Sequence, residues 1–372
     1  MRDYVPEVCE GSGFDLTLSF SAAGWLQMYH FGAAQAMLDS QLIGKALSEG
    51  KRIRFCGCSA GSIVAVLLAS KRWCFEDIRE KVITYGEHYR SSWLHLLSVA
   101  NYLNDSFRLF SNHMRDIENN AELYRIFNDG SLEIYVTNLS RCKQKVMRTF
   151  KNYDDVVESI LASCCMVPLV GVPFRLKSTG EWVCDGALAN VTPRLGEART
   201  ITVSPFYCSA ATIHPSVFVP INWGLRPPDE ASHRSLFDLG YNDAIKGLVS
   251  NGYITEQEGE SLLKPDTSGC FKGIGKIGLF DSYVGRFILI LVRCAACWFI
   301  YAELCFMCFV YFVRYLLNFE LTPLSNMCEN IVNMLSLQTL KRVIFRGEIS
   351  DKDKHLSKCS FVFRVLHPII LE

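Results

Sequence analysis

The 372-residue chain has no charge of either sign to spare: 38 lysine and arginine residues face 38 aspartate and glutamate. Nucleic-acid binders usually show a basic excess on one face, so nothing here points to nucleic acid as a partner. The N-terminal stretch MRDYVPEVCEGSG has no apolar core of a secretory signal. A reducing, cytosol-facing setting is therefore expected. The 16 cysteines lack the spacing of a disulfide framework or a metal site. Cys56 and Cys58 are separated by one residue, and Cys164 and Cys165 are adjacent. Two CxxC pairs, at 294–297 and 305–308, have zinc-like spacing but no histidine near them. Phe, Ile, Val and Trp surround them at helical intervals, so they read as small apolar packing residues. The most apolar segment, residues 285–317, also lacks a long uncharged run. The longest in the greasiest segment, Leu304 to Val313, is ten residues, against the roughly 18 to 20 that mark a plain spanning helix.

What is present is apolar mass: 49% of residues are hydrophobic, above the usual share for a soluble domain. The excess lies in GRFILILVRCAACWFIYAELCFMCFVYFVRYLL, Gly285 to Leu317. At about 100° per residue, Arg286, Arg293, Glu303 and Arg314 fall within one sector of roughly 100°. A helix here would carry a narrow, net positive stripe and a wide apolar face. One reading is a buried helix with four satisfied charges. The other is a membrane-embedded or interfacial helix with snorkelling arginines, and the positive stripe favours it because it suits anionic headgroups. Residues 256–372 are accordingly expected to associate with a membrane or lipid droplet.

The earlier part alternates strands and helices. FDLTLSFS (14–21), RIRFCG (52–57), LEIYVTNLS (132–140), KVMRTF (145–150) and RTITVSP (199–205) read as strands. GWLQMYHFGAAQAMLDS (24–40), GSIVAVLLAS (61–70) and DDVVESILASC (154–164) read as helices. This order predicts an α/β domain at about 1–255, with a mainly parallel sheet covered on both faces.

Gly57-Cys58-Ser59-Ala60-Gly61 matches G-x-S-x-G. The pattern is weak alone, but here it follows a strand and opens a helix, as a nucleophile elbow requires. Ser59 takes the central, exposed place at a helix N-terminus, where the dipole favours developing negative charge. The neighbouring sequence offers no base to activate Cys56 or Cys58. For Ser59 two bases are open. His214 or His233 with Asp185 would complete a Ser-Asp-His order. Alternatively Asp185, in WVCDGALANVTP (182–193), could take the serine proton directly. An oxyanion also needs backbone N–H donors, and SAAGWLQ (21–27), between the first strand and the first helix, can supply them. His30 reads as a packed core histidine, and Trp25 and Trp182 as core or pocket-lining aromatics.

In this order the three pieces resemble the patatin-like phospholipase family, in particular its adiponutrin and adipose triglyceride lipase branch, over about residues 14–250. That family carries G-x-G-x-x-G, then G-x-S-x-G, then D-G-G or D-G-A. The second is Gly57 to Gly61 and the third is Asp185-Gly186-Ala187. SFSAAGWLQMYHFG (19–32), ASCCMVPLVGVPF (162–174) and LGYNDAIKGL (239–248) are similar in flavour. The resemblance implies a three-layer sandwich with Ser59 as nucleophile, Asp185 as its base and no catalytic histidine. It also implies an oxyanion loop at Ala22, Ala23, Gly24 and Trp25. The loop departs from the family, since only its middle glycine, Gly24, is kept.

The expected function is a serine acyl hydrolase of glycerolipids, triacylglycerol or phospholipid, at the cytoplasmic face of membranes or lipid droplets, with transacylation as a close variant. The altered loop motivates a second expectation, a lipid-surface scaffold without turnover. Neither needs a metal or an organic cofactor, and a protein co-activator is left open.

Overall fold

The computed structural model describes residues 14–71, 75–91, 121–141, 143–166, 172–207 and 209–265, together with isolated helical residues between 290 and 309. The chain divides into two units, Met1–Gly275 and Lys276–Glu372.

Seven strands of the first unit form one sheet. They are β1 (Leu16–Phe20), β2 (Ile53–Cys58), β3 (Leu132–Asn138), β4 (Lys143–Met147), β5 (Phe174–Arg175), β6 (Trp182–Asp185) and β7 (Thr200–Val203). Hydrogen-bonded neighbours run β5-β6-β3-β2-β1-β7, with β4 on the other edge of β3 from β2 and β6. The β7-β1-β2-β3 core is parallel, while β4, β5 and β6 pair antiparallel. The fold is thus α/β with a mostly parallel, mixed sheet.

The helices are α1 (Gln27–Asp39), entered through a short 3-10 turn at Gly24–Leu26, α2 (Leu42–Ser48), α3 (Ala60–Ser70), α4 (Phe75–Arg90), α5 (Ala121–Asn128), α6 (Tyr153–Ser163), α7 (Glu230–Ser250) and α8 (Glu256–Leu262). The sequence reading found α1, α3 and α6. It passed over the others, whose apolar positions are interrupted by charge.

Alternation along the strands separates the two faces of the sheet. Leu16, Leu18, Phe20, Phe55, Ile134, Val136 and Ile201 join the helices in one apolar core. The opposite face carries Thr17, Ser19, Arg54, Cys56, Cys58, Glu133 and Tyr135, all nearly inaccessible. Among the described residues this second face is covered by the strap 186–199 rather than by helices. Ala187 and Val191 of the strap pack with Ala22, Cys56, Cys58 and Tyr135. Polar side chains survive under the strap because they are bonded to it. Ser19 Oγ donates to Pro193 O at 2.7 Å. Arg194 donates to both oxygens of Glu133, Nε to Oε2 at 2.8 Å and Nη2 to Oε1 at 2.9 Å.

The expected helix of 285–317 lies largely outside the described residues, as do Arg286, Arg293 and Arg314. Those that are described are helical, and Leu291, Trp298, Phe299, Phe306 and Phe309 are exposed there, Trp298 by 77%. No described helix is long and apolar enough to cross a membrane.

Candidate active site

Ser59 stands where β2 gives way to α3, with φ 51° and ψ −131°. A non-glycine residue held there costs about 1–3 kcal/mol. The flanking glycines are demanded by close approach. A Cβ on Gly57 would lie 2.2 Å from Gly61 O, and one on Gly61 2.4 Å from the carbonyl oxygens of Phe20 and Ser21. Ser62 braces the turn, its N–H and Oγ both donating to Ser59 O at 2.8 and 2.6 Å.

The sheet register brings Asp185 to this point. β2 and β6 occupy the same edge of β3, β2 running parallel to it and β6 antiparallel. Cys58 faces Tyr135 and Asp185 faces Val136. The two strands therefore meet end to end at consecutive places on β3, and the residue after Cys58 arrives beside the last residue of β6. Ser59 Oγ donates to Asp185 Oδ2 at 3.0 Å. The other carboxylate oxygen accepts Ala187 N–H at 2.8 Å. Asp185 O is held by Thr137 Oγ1 at 2.7 Å and Asp185 N–H by Cys165 O at 3.0 Å. A Cβ on Gly186 would strike Tyr135 O at 2.2 Å, which accounts for the glycine of the D-G-A motif.

Burial raises the Asp185 carboxyl; the hydrogen bonds from Ala187 N–H and Ser59 Oγ offset part of this, leaving it at about 7. A carboxylate poised near neutrality beside a hydroxyl is suited to taking and returning a proton.

The loop after β1 lies at the backbone level of the same strand ends, since Phe20 pairs with Gly57. Gly24 has φ +56°, and a Cβ there would meet Gly224 O at 2.1 Å. This is the position in the loop that needs glycine. Ala22 is not in the left-handed region, and Gln27 has an ordinary helical φ of −52°. The two departures from the family pattern therefore fall where a Cβ is tolerated. Ala22 cannot act as expected, however, because its N–H donates to Val191 O at 2.9 Å. Ala23, Gly24 and Ala60 have amides with no hydrogen bond among the described residues.

No histidine hydrogen-bonds to Ser59 or Asp185 among the described residues. His214 Nδ1 contacts Pro215 O at 3.3 Å. His233 is buried on α7, its ring 6.3 Å from that of Trp25. His30 is packed edge-on to Phe20, and burial lowers its pKa to about 3. Cys56 and Cys58 are fully buried, and burial pushes both thiols up, so neither is an activated nucleophile. No cluster of metal-ligating side chains occurs among the described residues.

The sequence reading missed two groups that touch the pair. Thr137 looks like any polar strand residue. Ser163, whose Oγ accepts Ser59 N–H at 2.8 Å, lies in the quoted stretch ASCCMVPLVGVPF, but nothing local marks it.

Residues 18–196 match the family model for patatin-like phospholipases. Patatin-like phospholipase domain-containing protein 4 of Homo sapiens is 27% identical over 259 residues, covering 64% of this chain and 98% of the relative. The Mus musculus protein 1-acylglycerol-3-phosphate O-acyltransferase Pnpla3 is 28% identical over 191 residues, 51% of this chain and 44% of that one. Omega-hydroxyceramide transacylase of Mus musculus is 24% identical over 256 residues, 62% and 40%. The chain spans nearly all of the first relative but less than half of each of the other two. Residues 18–196 thus carry a patatin-like phospholipase domain.

Proposed function

We propose that the protein transfers acyl groups from glycerolipid esters, to water or to a second lipid alcohol, by a Ser59–Asp185 dyad. The observation that carries this is the 3.0 Å hydrogen bond from a strained, half-buried serine to a buried carboxyl poised at about 7. Ser59 Oγ attacks the ester carbonyl as its proton passes to Asp185. The tetrahedral oxyanion is held by N–H groups from Ala23, Gly24 and Ala60, the last at the positive end of α3. The leaving alcohol takes the proton from Asp185, and Ser59 carries the acyl group. Water, or a lipid hydroxyl, then gives its proton to Asp185 and attacks the acyl-enzyme. Ser59 leaves with that proton, and a fatty acid or a new ester is released. The dyad serves both acceptors alike. Relatives named as an acyltransferase and a transacylase support keeping both in one reading.

A fluorophosphonate probe tests the dyad. Labelling of the wild type that disappears in Ser59→Ala is expected. Folded wild type that takes no label would identify a lipid-surface scaffold instead. Hydrolysis of triacylglycerol and phospholipid by wild type and Ser59→Ala, with and without a lipid alcohol, identifies donor and acceptor.

The reading includes work at a lipid surface facing the cytoplasm. The exposed Leu291, Trp298, Phe299, Phe306 and Phe309 support it, since large contiguous apolar faces mark membrane or partner contacts. Retention of membrane pelleting after deletion of 285–317 would sink this part.

A further inference from the structure

We propose that Ser163 is a positioning residue for the nucleophile, and that the turn after α6 sets the spacing of the dyad; this rests on the Ser59–Asp185 reading above. The β2–β3 ladder ends at Cys58, opposite Tyr135, and the next place on that edge of β3 is taken by Asp185 opposite Val136. Ser59 N–H has thus lost its strand partner in a buried setting, where an unpaired amide is costly. The Ser163 hydroxyl fills the gap. Its Oγ accepts Ser59 N–H at 2.8 Å and donates to Tyr135 O at 2.7 Å. It is fully buried, and its one proton and one lone pair engaged here form a bridge that extends the ladder by one link through a side chain.

Two residues further on, Cys165 O accepts Asp185 N–H at 3.0 Å. One turn therefore grips the backbone of both members of the pair, with α6 packed on β3, β6 and α3 behind it. The bridge has two consequences. It holds Ser59 in φ/ψ values that would otherwise relax and rotate Oγ away from Asp185. It also occupies the Ser59 amide, so the oxyanion donors must come from Ala60 and the loop at 23–24.

The test compares full-length wild type with Ser163→Ala, Ser163→Cys and Ser163→Thr on a soluble p-nitrophenyl ester. Rates are normalised to active sites titrated with a fluorophosphonate. Ser163→Ala and Ser163→Cys, lacking a good acceptor, should lose about ten- to a hundredfold in kcat per titrated serine with KM unchanged. Ser163→Thr, which keeps the hydroxyl, should stay within about threefold of wild type. A purely structural role would lower the melting temperature and the number of titrated sites but leave the rate per site unchanged, and that result overturns the proposal. If Ser163→Ala does not fold, the Cys and Thr variants decide by the same criterion. Label that survives Ser59→Ala, or a wild type that takes none, overturns the dyad reading and this proposal with it. Normal labelling with unchanged variant rates overturns this proposal alone.

Discussion

Asp185 is 3% exposed, and burial moves its carboxyl from the usual 3.8 to about 7. Between those values the folded chain holds a proton that the unfolded chain has released, so stability falls as pH rises through the window and stays lowered above it. Reactivity runs the other way, because only the carboxylate can accept the Ser59 proton. The value of kcat/KM on a soluble ester should therefore rise with pH to a plateau through about 7. Asp185→Asn should abolish it while raising the melting temperature at pH 8 by about 5 °C, a gain that vanishes near pH 4. Parallel pH–rate and calorimetric profiles check both signs. The oxyanion loop makes a second prediction at this scale. Ala22→Gly should change the rate by less than about threefold, because Ala22 N–H is engaged by Val191 O and its φ needs no glycine. Gly24→Ala should cost about a hundredfold or more, because its φ of +56° and the contact with Gly224 O leave no room for a Cβ. Steady-state rates of the two variants test whether the loop's departure from the family pattern matters.

At the scale of elements, the strap 186–199 links the dyad to the oxyanion loop, starting from Asp185 and holding Ala22 through Val191. It is fastened by Glu133, a fully buried acid on β3. Burial would raise that carboxyl, but hydrogen bonds and charge from Arg194, the Tyr135 hydroxyl and the charge of Arg54 more than offset it and hold it at about 2. Arg148 adds a bond at 2.8 Å and Arg54 lies 3.6 Å away. A depressed carboxylate contributes stability that is fully present above about 4.5 and is lost as pH falls toward 2. Glu133→Gln takes the carboxylate from the buried Arg54 and from the half-buried Arg194, which keeps Glu197, and should cost about 3–5 kcal/mol in urea unfolding at pH 7. The Glu133→Gln, Arg194→Met double variant should recover part of that. Much of the sheet was legible beforehand, because LTLSF, IRFCGC and LEIYVTN alternate cleanly. Glu133 was not. An acid alternating with Ile and Leu reads as solvent-facing, and only arginines brought to it by the fold, Arg54, Arg148 and Arg194, reverse that.

On the scale of the whole molecule, the second unit presents aromatic side chains that a folded chain ordinarily covers. At about 100° per residue Leu291, Trp298, Phe299, Phe306 and Phe309 fall within one sector of roughly 100°, and each is more than half exposed. If that side is the lipid contact, Phe299→Ser with Phe306→Ser should weaken sedimentation with vesicles containing anionic phospholipid at least about tenfold. Hydrolysis of a soluble ester should be unchanged. Equal sedimentation of variant and wild type would remove the assignment.

Composition and local pattern were enough to locate the α/β region, the elbow at Ser59 and the glycines around it. Each of these depends on neighbours within a few residues, through strand alternation, helix spacing and backbone crowding in one tight turn. The choice of Asp185 over His214 or His233 as the partner that Ser59 meets was not local. It was decided by β2 and β6 meeting end to end on one edge of β3, a juxtaposition of residues 126 apart. The same holds for the loss of Ala22 as a donor and for the bridge from Ser163. Hydrogen bonds across the sheet form only once the register is set, and no spacing in the chain records them.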